Sequence, residues 1–181
     1  MPPRKRASST RFSACATSFV FFLFASAFHA NPAPAGEPQR GAVSNLPIPR
    51  YVSLKSDRVN VREGPSKDHR TVWVYARAGL PVEITAEFET WRKIRDWEGA
   101  EGWVQHSLLS GRRTAIVAPW KKDPLSLTDA DRTTPVARLS PGVIGSLRGC
   151  DGSWCHLVGK DFDGFLEQKN LWGVYPNETI E

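Results

Sequence analysis

Cysteine is scarce in this chain. Three in 181 residues exclude a small scaffold stapled by many disulfides. Helical patterning is missing too: no segment sustains an apolar repeat at helical spacing, which excludes a helix bundle. There is no G-x-x-x-x-G-K-[ST] phosphate loop, no H-E-x-x-H metal helix and no G-x-S-x-G nucleophile elbow. Long apolar runs are lacking except for one, Phe12 to Phe28. The length leaves room for one medium domain or two small ones, and for no large multidomain enzyme. Apolar residues at 40% and charged residues at 24% lie near the globular average, so wholesale disorder is excluded as well.

The single apolar run sets the expected compartment. Arg4, Lys5, Arg6 and Arg11 precede or open it, and Ala25-Ser26-Ala27 closes it. This is the layout of a secretory signal peptide over residues 1–30, cut after Ala27 or Ala30. A periplasmic or extracellular protein is the expectation. The run lies at the short limit for a membrane span, so a retained anchor is the alternative, and contact with a membrane is expected only through it. The leader also carries most of the excess charge. The whole chain has 24 Lys+Arg against 19 Asp+Glu, a net of +5. Four of those bases and none of the acids sit in the leader, leaving twenty against nineteen. Neither half then has the basic stripe of a nucleic-acid binder, and no nucleic-acid partner is expected.

Residues 31–52, with Pro at 32, 34, 38, 47 and 49, read as a Pro-rich disordered linker. From Ser53 the pattern becomes all-β. Val59-x-Val61, Val72–Tyr75, Leu80–Phe88, Trp91–Arg95 and Gly102–His106 are short runs separated by turn residues. The pattern then repeats. Gly79 returns as Gly142, Trp91-x-x-Ile94 as Trp154-x-x-Leu157, and Leu108 as Leu171, each 63 residues on. Gly102-Trp103-Val104 returns as Gly164-Phe165-Leu166 at 62, and Val59-x-Val61 as Leu125-x-Leu127 at 66. Matching anchors at a near-constant period point to a duplication.

The string Arg58-Val59-Asn60-Val61-Arg62-Glu63-Gly64-Pro65-Ser66 resembles the opening signature of bacterial SH3-like (SH3b) domains. Trp91-x-x-Ile94, Glu101-Gly102-Trp103-Val104 and Leu108-Leu109 are similar to the later strands of that family. The resemblance implies two tandem five-stranded half-open barrels, one at 53–111 and a divergent one at 119–176. Residues 112–118 would be a joint and 177–181 a tail. It also implies an extracytoplasmic binding role, through cell-wall or protein contact, with no cofactor.

Two groups of residues carry the candidate chemistry. Cys150 and Cys155 bracket Asp151-Gly152-Ser153-Trp154, a hairpin turn signal that sets them opposite each other within disulfide reach, roughly 4.4–6.8 Å between Cα atoms. A thiol catalyst and a zinc site are the alternatives. His156 adjoins Cys155 in a strand and points the other way, so the two make no local nucleophile–base pair, and a fourth zinc ligand is missing. An enzyme is therefore not expected. The aromatics Tyr75, Trp91, Trp97, Trp103 and Trp154 are the candidate binding residues, since Trp and Tyr offer flat apolar faces with a polar handle. The functional expectation is a secreted, non-catalytic binding protein of the cell envelope that contacts peptidoglycan. The alternative is a periplasmic protein–protein adaptor or scaffold.

Overall fold

A computed structural model describes residues 39–181. The expected signal peptide, the first part of the expected linker and Cys15 lie outside the described residues. The fold is all-β, in two sheets with separate cores.

The first sheet is built from β1 (Arg50–Leu54), β2 (Val59–Arg62), β3 (Thr71–Tyr75), β4 (Pro81–Phe88), β5 (Trp91–Arg95), β6 (Glu101–Gln105) and β7 (Leu109–Ser110). The second contains β8 (Thr114–Val117), β9 (Leu125–Thr128), β10 (Pro135–Leu139), β11 (Ile144–Asp151), β12 (Trp154–Val158), β13 (Asp163–Glu167) and β14 (Leu171–Trp172), with β15 (Thr179–Ile180) added beside β11. The strand order is β3-β2-β6-β5-β4-β1-β7 in one and β10-β9-β13-β12-β11-β8-β14 in the other. Strand for strand, these are one topology used twice. A single 3₁₀ turn precedes the last strand of each copy, His106–Leu108 and Gln168–Asn170.

The repeated glycines explain why the copies match. Gly79 and Gly142 have φ of 76° and 84°, a left-handed turn that opens β4 and β11. Gly102 and Gly164 let β6 and β13 cross close to β2 and β9. A Cβ on Gly102 would collide with Val61, and one on Gly164 with the Thr128 carbonyl. The core side chains alternate as strands require. Val59, Val61, Val82, Ile84, Ile94 and Val104 fill the first barrel, and Leu127, Leu147, Leu157 and Leu166 the second.

Four expectations need correction. The sheets have seven and eight strands where five were expected in each, because β1 and β7, and their equivalents β8 and β14, extend them, and β15 joins the second. The disordered linker is structured from Gln39 onward. Ile48, Tyr51 and Val52 within it are buried, and their burial offsets the chain entropy lost on ordering. The joint at 112–118 is largely β8, buried throughout and paired with β11 and β14. The tail at 177–181 holds β15, where Ile180 pairs with Cys150.

The two barrels pack against each other. Thr114 Oγ1 donates to the Gly79 carbonyl at 2.8 Å, Ser53 Oγ to the Arg112 carbonyl at 2.9 Å, and Arg77 to the Gly142 carbonyl at 3.0 Å. Tyr175 donates its hydroxyl to Glu83 at 2.8 Å, and its ring lies 4.6 Å from that of Tyr51. Burial pushes the Tyr175 hydroxyl well above its usual range, and the bond to Glu83 adds to the shift.

Candidate ligand-binding surface

On β5 and β6 strand parity puts Arg92, Ile94 and Val104 on the inner face and Trp91, Lys93 and Trp103 on the other, where Lys93 and Trp103 are half-buried and Trp91 is buried. Lys93 pairs with Trp103 across the strands, and its Nζ lies 2.6 Å from Glu101. The second copy repeats this face. His156 pairs with Phe165, the rings stack at 4.7 Å, and His156 Nε2 is hydrogen-bonded to Asp163 at 2.5 Å. Each barrel thus presents an aromatic ring beside a nitrogen-bearing side chain that a carboxylate holds in place.

Trp154 has the most developed surroundings. It is half-buried and walls a cavity of about 420 Å³ with Leu171, Val174 and Pro176. On its other side is a shallower cleft of about 330 Å³ that includes His156 and Phe165. The Arg132 guanidinium lies 5.6 Å from the Trp154 ring and 6.0 Å from that of Phe165, within cation–π range. Asp151 pairs with Arg132 and accepts the backbone N–H groups of Trp154 and Ser153, at 2.8 and 2.9 Å. Those N–H groups, with Arg132, hold the Asp151 carboxyl at about 2. The loop that carries Trp154 is therefore fixed at both ends.

The other four candidates divide. Trp91 is 7% exposed, at the back of a cavity of about 270 Å³ lined by Arg58, Arg62 and Lys67. Trp103 is half-buried on the outer face. Tyr75 is buried, and its hydroxyl donates to Asp96 at 2.7 Å. Burial raises the Tyr75 hydroxyl far above its usual range, and the Asp96 bond adds to this. Asp96 also accepts the N–H groups of Glu98 and Ala100, so Tyr75 positions the 96–100 loop and does not face solvent. Trp97 stands on that loop, 37% exposed. The five residues do not form one site. Trp91 and Trp103 share a face, Tyr75 and Trp97 are linked through Asp96, and Trp154 belongs to the second barrel.

Cys150 and Cys155 are bonded, with Cα atoms 4.1 Å apart, closer than the expected range. They pair across β11 and β12, as the hairpin signal required.

Residues 55–111 match the family model of the bacterial SH3 domain. The first barrel, from β2 to β7, is a bacterial SH3 domain. No curated protein matches the chain. Among solved structures it is similar to NlpC1 from Trichomonas vaginalis, at 14% identity and a TM-score of 0.32. That alignment covers 73% of this chain and 48% of the other, so the chain spans about half the length of that structure.

Sequence reasoning missed one surface of this SH3 domain. Val72, Trp73 and Val74 on β3 are 39%, 52% and 44% exposed, and β3 is an edge strand. The signal was present, because Val-Trp-Val-Tyr has no polar side. Such a strand is either buried on both faces or left bare at an edge. Arg132 was missed as well, since a lone Arg in a loop gives no sign of the ring it lies against.

Proposed function

We propose that the protein is a non-catalytic binding protein of the bacterial cell envelope, with two SH3-type barrels that contact peptidoglycan. The observation that carries this reading is the repeated outer face: Lys93 and Trp103 in one barrel, Trp154, His156 and Phe165 in the other. Flat rings beside hydrogen-bonding side chains suit sugars and short peptides. The non-catalytic part is supported by the cysteines. Cys150 and Cys155 are held in the disulfide, so neither is a free thiol nucleophile. A location outside the cytoplasm fits the same bond.

The test is co-sedimentation of the protein with purified peptidoglycan sacculi. The expected result is recovery in the pellet at low and moderate salt. Protein left in the supernatant at both salt levels overturns the peptidoglycan reading. A second reading, a periplasmic adaptor, is favoured by β3. Its bare edge and the exposed Val72, Trp73 and Val74 suit strand addition by a partner protein.

A further inference from the structure

A broad concavity lies between the two barrels, and Arg148 on its wall also lines the cleft that holds Trp154, His156 and Phe165. The volume between the barrels is about 590 Å³, within the range of small-molecule sites. Four cations line it, each from a different segment: Lys55 just after β1, Arg112 between β7 and β8, Arg148 on β11, and Lys160 in the β12–β13 turn. No acidic residue lines it. None of these four side chains has a salt-bridge partner among the described residues. Other cations of the chain are paired, as in Arg50 with Glu87, Arg95 with Glu83 and Arg113 with Glu178.

Beyond residue 38 the sequence has almost as many acids as bases, so four unpaired cations around one acid-free cleft make it locally positive, more so than the smaller cavity lined by Arg58, Arg62 and Lys67. The cleft floor is fixed. Thr114 and Ser53, both lining residues, bridge the barrels through their bonds to Gly79 and Arg112. Unpaired cations converging on a walled concavity raise the local concentration of anions and hold them better than isolated surface charges do.

We infer that this inter-barrel cleft is a binding site for a ligand carrying two or more phosphate or carboxylate groups, which Lys55, Arg112, Arg148 and Lys160 grip from both barrels. The site adjoins the aromatic face of the second barrel and shares Arg148 with it, while Trp-to-Ala changes leave all four cations in place. Lys55, Arg112 and Lys160 do not line the aromatic cleft, so replacing them reads anion binding apart from sacculus binding.

The test is titration calorimetry of the whole protein with two probes, tripolyphosphate and citrate, at one fixed ionic strength. Saturable binding of one equivalent of at least one probe is expected. Preference for tripolyphosphate marks a phosphate ligand, and preference for citrate a carboxylate one. Lys55→Ser/Arg112→Ser should weaken the preferred probe about tenfold, roughly what two charge-assisted contacts supply. Lys122→Ser/Arg138→Ser removes the same charge from exposed positions outside the cleft and should change affinity less than about twofold. Thermal melts confirm that both variants fold; if the cleft double does not, Lys55→Ser/Lys160→Ser replaces it with the same expectation. No saturable binding of either probe, or equal weakening by the cleft and control doubles, overturns the assignment.

Discussion

Glu87 and Arg92 stand opposite each other across the β4–β5 hairpin, at the register where Cys150 and Cys155 are bonded across β11–β12. In the first barrel the fastener is ionic: Arg92 Nε lies 3.4 Å from Glu87, and the two side chains are 9% and 0% exposed. Glu87 also binds Arg50 at 2.7 Å, the Ser44 hydroxyl at 2.6 Å, and the backbone N–H groups of Ser44 and Val43. One carboxylate thus ties the 41–46 loop, β1 and the hairpin together. A buried charge is tolerated only when its lone pairs are met, and here they are.

That arrangement makes the first barrel sensitive to acid. Burial pushes the Glu87 carboxyl up, but the Ser44 hydroxyl and N–H, Arg50 and the Val43 N–H outweigh it and hold the group at about 2. A folded value below the unfolded one means the contribution is complete above about pH 4.5 and is lost as pH falls toward 2. Glu87→Gln should cost about 2–3 kcal/mol at pH 7, and its melting temperature should fall less than the wild type's between pH 5 and 2. Parallel Tm–pH curves for the two proteins would show that Glu87 is not the group that titrates.

The second barrel should answer to reductant instead. Intact mass after alkylation without reduction should show no label on Cys150 or Cys155, and reduction should make both available. Cys150→Ser/Cys155→Ser should cost about 2 kcal/mol, the low end for a bridge that closes so short a loop. The variant should still fold, because the first barrel builds the same hairpin without a covalent bond. Hydrogen exchange should place the loss of protection in β11, β12 and β15 and leave β4 and β5 unchanged.

Much of this was legible in the residues. The duplication was visible because its anchors answer to hard geometry: left-handed turns at Gly79 and Gly142, close crossings at Gly102 and Gly164. The cysteine pair was legible for the same reason, through its turn. What stayed hidden depended on distant partners. β1 sits among prolines, and its pairing strands, β4 and β7, lie far along the chain. Parity placed Trp91 on the outer face, but only the packed structure shows how little of it is exposed. The cleft cations come from four segments and share no local pattern.

Gly102→Ala should destabilise the first barrel by about 1–3 kcal/mol, because its Cβ meets Val61 and the Arg62 carbonyl in a space that cannot yield cheaply. Gly111→Ala is the control. Nothing lies within 4 Å of its Cβ position, so it should stay within about 0.5 kcal/mol of wild type. Urea denaturation of the two variants side by side decides the matter, and equal midpoints would remove the close-crossing explanation.

Trp103→Ala and Trp154→Ala test the proposed ligand face, and Trp97→Ala tests the exposed ring on the separate 96–100 loop. Each should reduce sacculus recovery severalfold, and Trp97→Ala should do so with less than about 1 kcal/mol lost in stability. If Trp97→Ala unfolds the barrel, its ring serves packing and not recognition. Trp120, 51% exposed in the β8–β9 loop, is the comparison and should be silent.

Between the last residue of β7 and the first of β8 lie three residues, Gly111 to Arg113, and cross-barrel hydrogen bonds brace both sides of that short span. The pair therefore has no swivel, and its two outer faces keep a constant separation. On the proposed reading, such a protein would work as a gauge. On a polymer whose repeat matches that separation, the second barrel engages at high effective concentration, and binding strengthens stepwise once a fragment is long enough to reach both faces. Shorter fragments gain nothing from the second barrel, however many are added.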